Sequence, residues 1–367
     1  MLFPSRYQYP LSRQFEGVFF GVALGELWGQ WTQEFFHVHG SALSGRDFNL
    51  NALFCGGSSR SSPISSSFVP GLRVTLASTQ SFLQFRGLNL EDWLTDSLSP
   101  LAVKSSDILF ATVPVALFFH ENLPRLAQNL EQVAQCWEIL TVDEDTACST
   151  RSSGLITILA LGYVLSQVLT RKFSGREIIP QTITYLGEET SLTSRLQTLN
   201  ELLKNRASLA TAVQELSGFS QKTVTLRQGG AGGQTQDVAL EIALSLALYC
   251  WLSTPEFFNL SLMRAAQTQF QPALTCGITG ILSGAYNSRL GISPVRSGTI
   301  KKLYPHLTAM GEKLPLKWGI SAEAELQLMA TGLFALWSGV DHWEPTAMTT
   351  RDLSRISSPN LKRPFLM

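Results

Sequence analysis

Few sets of residues in this sequence combine the types and spacings that chemistry requires. His37 and His39 form an H-x-H pair. On a strand the two rings would share a face and could ligate a metal; on a helix they would point about 200° apart. No Cys, Asp or third His lies close by, so a metal site is not expected there. Asp143-Glu144-Asp145-Thr146 gathers three carboxylates and a hydroxyl, hard oxygen donors of the kind Mg²⁺ takes. Acids at the start of a helix also complement its dipole, and a solvated helix start is the expectation here. Gln228–Gln234 (QGGAGGQ) could offer backbone N–H groups to a phosphate ahead of a helix from Asp237. It lacks the Lys-Ser/Thr of a P-loop and no clear strand precedes it, so a helix–helix connection over 228–236 is expected instead. No nucleophile elbow or local Ser/His/Asp or Cys/His signature is present. Cys55, Cys136, Cys148, Cys250 and Cys276 are odd in number, scattered and without a CxxC pair, which fits reduced thiols rather than disulfides or a thiolate zinc site.

The elements that must position such residues are helices. Gly17, Gly21, Gly25 and Gly29 recur at four-residue spacing in FEGVFFGVALGELWG, so on a helix they form one slowly drifting stripe. Each interior glycine costs about 1 kcal/mol relative to alanine. A stripe of four therefore implies a backbone brought closer to a helix or ligand than a Cβ would allow. Trp28, Trp31, Phe35 and Phe36 crowd the end of this helix and read as core or a subunit contact. Further helical periodicity marks Leu123–Leu140, Leu192–Leu203, Leu209–Leu216 and Ala322–Ser338. Thr254-Pro255 reads as the cap and first residue of another helix. No period-two run or Asn-Gly or Asp-Gly hairpin signal suggests strands.

The whole chain of 367 residues is 44% hydrophobic and 15% charged, enough apolar material for a large core. Lys plus Arg equals Asp plus Glu at 28 each, so no global charge attracts nucleic acid or an anionic membrane. Ile108–Phe119, Leu155–Leu169 and Val238–Leu252 are apolar but short, and are interrupted by Pro114, Gln167 and Glu241 respectively, so they read as core helices rather than spans. The N-terminal stretch lacks the apolar region of a secretory signal. The expectation is a cytoplasmic protein with a single compact all-α domain over 13–345. A short extension over 1–12 would precede it, a Ser/Gly-rich loop would occupy 41–71, and a tail would cover 346–367.

The glycine helix resembles the opening motif of the ADP-ribosylglycohydrolases, which include the dinitrogenase reductase-activating glycohydrolase. Glu26 stands where that family usually has aspartate. Thr268–Ser288 is similar to the family's late segment, with Gly280, Gly284, Ala285 and Tyr286 matching its helix and Ile292-Ser293-Pro294 following it. Ala111–Leu117 and the ALYCWLSTPEFFNLSLMRAA stretch resemble two further blocks in the family's order. The resemblance runs from about residue 13 to 295 and implies an all-α fold whose cleft holds two magnesium ions and an ADP-ribose unit.

The departures from that pattern fall on the chemistry. The late aspartate positions hold Gln271 and Ala273, and the late threonine position holds Leu274. The early carboxylate motif falls near Val69-Pro70-Gly71, which has no acid. An amide and apolar groups cannot replace an oxygen cage for Mg²⁺, so no metal or other cofactor is expected. Asp143-Glu144-Asp145-Thr146 lies at a different place in the family's order. Glu26 is left to hold a ribose hydroxyl, to cap a helix, or to serve as another structural hydrogen-bonding group. The implied function is a catalytically inactive homologue that binds a protein partner, with an ADP-ribose-sized cleft that could still take a nucleotide weakly. The alternative is a hydrolase of an ADP-ribosyl or related N-glycosidic bond with a rearranged site using Glu26, Asp143 and Asp145.

Overall fold

Leu11–His39 forms a long helix, α1, that is buried on every side from Gln14 to Gly29. A helix without a polar face belongs in the middle of a protein. The computed structural model describes residues 9–39, 70–101, 103–141, 153–172, 174–187, 190–224, 233–292 and 322–340. Among them there is no strand. After α1 come α2 (Pro70–Phe85), a run of short turns between Leu90 and Asp107, α3 (Ile108–Phe119), α4 (Leu123–Thr141) and α5 (Ser153–Leu169). Then follow α6 (Ile178–Leu186), α7 (Ser191–Lys204), α8 (Leu209–Val224), α9 (Gly233–Ser253), α10 (Phe258–Gln267), α11 (Pro272–Gly291) and α12 (Ala322–Ser338). One hydrophobic cluster joins side chains from α1 through α12.

The glycine stripe is explained by a second helix. A Cβ added at Gly17, Gly21, Gly25 or Gly29 would lie 2.2, 2.0, 2.2 or 2.1 Å from the carbonyl oxygens of Gly284, Gly280, Cys276 and Pro272 respectively. The pairing runs backwards, so α1 and α11 are antiparallel with their main chains in contact. The contact is mutual, since a Cβ at Gly280 would lie 2.0 Å from the Gly21 carbonyl oxygen. The Gln14 side chain adds a hydrogen bond across the same seam, to the Ala285 carbonyl at 2.9 Å. Thr275, Thr279 and Ser283 bring polar groups onto α11, and the first two turn their hydroxyls back onto Phe270 and Thr275 carbonyls. Such back-bonding lets small polar residues be buried in a helix.

The amphipathic helices wrap this centre. Leu126, Leu130, Val133 and Trp137 form the buried face of α4. Pro114 lies inside α3 and cannot donate to the Phe110 carbonyl one turn earlier. The Thr75 hydroxyl of α2 donates to that carbonyl instead, at 3.2 Å. Glu241, fully inside α9, accepts from the Ser191 hydroxyl at 2.6 Å and from Arg195 Nε at 3.4 Å, while Arg195 also reaches the Leu216 carbonyl. This buried pair ties α7, α8 and α9 together. No helix among the described residues is long and apolar enough to cross a membrane.

Several boundaries differ from the sequence reading. α1 begins at Leu11, within the 1–12 extension, because the Pro10 carbonyl accepts from Arg13 and Gln14 N–H and closes the first turn. α2 begins at Pro70, so the last two residues of the 41–71 loop are helical. α9 begins at Gly233 rather than Asp237. α10 begins at Phe258, and Thr254 closes the preceding helix, its hydroxyl donating to the Cys250 carbonyl at 3.0 Å. The early part of the 228–236 connection and the 346–367 tail lie outside the described residues.

Two glycine-to-alanine substitutions should move stability in opposite directions. Gly21→Ala drives a methyl into the Gly280 main chain and should cost about 3 kcal/mol or more. Gly218→Ala sits in α8 with nothing within 4 Å of the new Cβ, and should gain about 0.5–1 kcal/mol. Urea denaturation of both variants measures the contrast.

Candidate functional site

The first N–H groups of a helix have no partner within it. At the start of α2 they are supplied from α1. Gly71 N–H donates to Glu26 Oε1 and Leu72 N–H donates to Glu26 Oε2, each at 2.8 Å. A carboxylate is favoured at this end of a helix by its dipole. The geometry needs close quarters. A Cβ at Gly71 would fall 2.5 Å from the Phe110 ring, and one at Gly277 would fall 2.7 Å from the same ring. Phe110 thus sits between two glycines beside Glu26, and its position sets α3 against α2 and α11.

Asp107, at the start of α3, is the second buried carboxylate of this region. Its oxygens accept from Lys104 N–H at 2.9 Å and from the Ser106 hydroxyl at 3.3 Å. Burial pushes its pKa up, against the pull of those bonds and of the Lys104 charge. Glu26 is 2% exposed. Burial drives its pKa from 4.5 up to about 8; the two N–H groups pull it down and the Asp107 charge adds a smaller push upward. Desolvation is the largest of these influences and outweighs the two N–H groups. A protonated carboxyl could in principle act as a general acid. Here both oxygens are bound to the main chain of α2 and closed off from solvent.

The late segment comes to the same end of the α1–α11 seam. Gln271 is exposed and carries a left-handed backbone (φ 37°) at the cap of α11. Ala273 is partly buried, and its Cα would lie 2.6 Å from a Cβ at Gly29. Leu274 is buried in the core. Glu26 Cβ would lie 3.9 Å from a Cβ at Gly277, one turn further along α11. The structure therefore gathers Glu26, the Gly71 region and the start of α11 around one point. An exposed amide, a methyl, an isobutyl group and a glycine backbone do not fit the oxygen cage that Mg²⁺ requires. Among the described residues no three His, Cys, Asp or Glu side chains are grouped so as to hold a metal.

Among the described residues no other candidate joins this point. α1 extends through His39, so His37 and His39 lie on a helix, the arrangement that separates rather than pairs them; their side chains lie outside the described residues. Asp143 and Asp145 lie outside them as well, as do Cys55 and Cys148. Cys136, Cys250 and Cys276 are buried free thiols. Burial pushes Cys136 up to about 11, Cys250 up to about 12 and Cys276 well above the ordinary thiol value, so none of them is a poised thiolate. Leu72, Phe110, Asp107 and Gly277 escaped the sequence reading, and Gly71 entered it only as a position without an acid. One signal was available, since Pro70 occupies the first position of a helix, where proline is favoured. Compared with protein-family models and with curated proteins, the sequence finds no match.

A pH dependence of stability follows from Glu26. Its folded pKa is raised above the unfolded value, so its contribution is fully present below pH 4.5 and lost as pH rises through about 8. Urea unfolding between pH 5 and pH 9 should lose on the order of a few kcal/mol at the alkaline end. Glu26→Gln should flatten that slope. It should also be less stable than the parent at pH 5, because the amide nitrogen faces an N–H it cannot accept.

Proposed function

We propose that this protein is an all-α relative of the ADP-ribosylglycohydrolases that has left their di-magnesium chemistry and serves as a protein-binding or regulatory module. The observation that carries the reading is the state of Glu26. At the position of the family's aspartate, both carboxylate oxygens are consumed by Gly71 and Leu72 N–H, so the group holds two helices together rather than a ligand. Two stretches that resemble the family, the glycine helix and the late segment on α11, lie together beside this carboxyl group, and Gly71, near where the early motif would fall, donates to it. The resemblance places metal ligands in the early and the late motif. The side chains present at Gln271, Ala273, Leu274 and Gly71 supply no carboxylate to either of them. The seam of α1 and α11, by contrast, keeps every glycine the resemblance implies, because main-chain contact requires it regardless of chemistry.

Titration calorimetry with Mg²⁺ and with ADP-ribose, followed by an assay on an ADP-ribosylated protein, tests the reading. No release of ADP-ribose, with or without Mg²⁺, is the expected result. ADP-ribose binding without turnover would support a retained cleft, and absence of binding would support a module that acts through protein contacts alone. Mg²⁺-dependent release of ADP-ribose would overturn the proposal. It would turn attention to a rearranged site using Glu26, Asp143 and Asp145.

A further inference from the structure

A cavity of about 270 Å³ opens where the α3–α4 turn meets the C-terminal end of α5. It lies at the opposite end of α3 from Asp107, roughly 18 Å away along a twelve-residue helix. It is therefore separate from the Glu26 region. Most of the polar groups around it are already engaged. The Ser166 hydroxyl donates to the His120 carbonyl at 2.7 Å, and the Thr170 hydroxyl donates to the Ser166 carbonyl at 2.7 Å. His120 Nδ1 is bound to the Leu117 carbonyl at 2.7 Å, and its ring lies 5.1 Å from that of Trp337. Asn122 Oδ1 accepts from Arg125 N–H at 3.1 Å.

Gln167 is different. It lines the cavity and is 6% exposed, more than nine-tenths buried, yet its carboxamide meets no hydrogen-bond partner among the described residues. Buried polar groups are nearly always satisfied. A carboxamide presents a donor and an acceptor side by side, and the group that satisfies both at once is another carboxamide, through two parallel hydrogen bonds. A carboxylate can accept from the nitrogen, but it then sets a second oxygen against Gln167 Oε1. The mouth carries charges of both signs, Glu121 and Lys172, both exposed. An ion of either sign meets one like charge there, whereas a neutral ligand meets none.

We infer that this cavity binds small neutral carboxamides through paired hydrogen bonds to the Gln167 side chain. The inference does not depend on the proposed function. Saturation-transfer NMR and thermal melts of the full chain with acetamide and propionamide, against acetate and propionate, provide the test. The amides should bind at least tenfold more tightly than the matching acids. Gln167→Leu should abolish amide binding while melting no lower than the parent, because it removes an unpaired polar group. Gln167→Glu, which keeps the shape but removes the donor, should weaken amide binding at least tenfold and serves if the leucine variant does not fold. Absence of amide binding up to ~10 mM, acids that bind as tightly as amides, or amide binding that survives both substitutions would each overturn the inference.

Discussion

α1 and α11 lie antiparallel with main chain against main chain, and the rest of the molecule is arranged around that seam. Each glycine of α1 from Gly17 to Gly29 faces a carbonyl of α11 at a distance no side chain could share. Interior glycines weaken a helix by about 1 kcal/mol each, so both helices need support from the burial that surrounds them. α9, α10 and α5 supply it against α11, and α12, α10 and α2 against α1. The close approach also sets positions. It holds Glu26 where its two oxygens reach the start of α2, and it brings Gly277 to the Phe110 ring.

Several polar groups buried by this arrangement are answered across helices. The carbonyl that Pro114 leaves without a donor takes the Thr75 hydroxyl, and the open end of α2 takes Glu26. Glu241 is met by Ser191 and Arg195. In each case a group that would weaken one helix alone becomes a tie to a neighbour. Burial without partners is expensive, so such ties specify which helices meet as well as how strongly. Glu26 shows the competition most clearly. The dipole of α2 and two N–H groups favour its charge, desolvation opposes it, and desolvation prevails.

The helices themselves were legible where a pattern was dense. Ile108–Phe119 and Ala322–Ser338 occur with the limits read from the sequence, and α4 buries the face its three- and four-residue spacing marks. Boundaries next to glycine and proline were less legible. Gly71 and Gly233 read as loop but are helical, and Pro255 reads as a helix start but precedes one. Glycine and proline report permissive or restricted backbone, which a turn and a helix terminus share. The surroundings of Glu26 were not legible. Its partners are backbone N–H groups, which every residue but proline carries, so no residue type announces them.

What the sequence by itself determined was that one helix must pass another object at main-chain distance, since a stripe of four glycines has no other stable use. It also pointed to an all-α fold, as found among the described residues, and to the absence of carboxylates at Gln271, Ala273 and Leu274. Only the tertiary structure decided that the object is the helix carrying Gly280 and Gly284, because the two halves of the seam are far apart in the sequence and each carries glycines four residues apart. It likewise decided that Glu26 is a helix cap. A carboxylate has the same sequence signature whether it meets a metal, a sugar hydroxyl or two peptide N–H groups, and only the fold brings one of these within 3 Å.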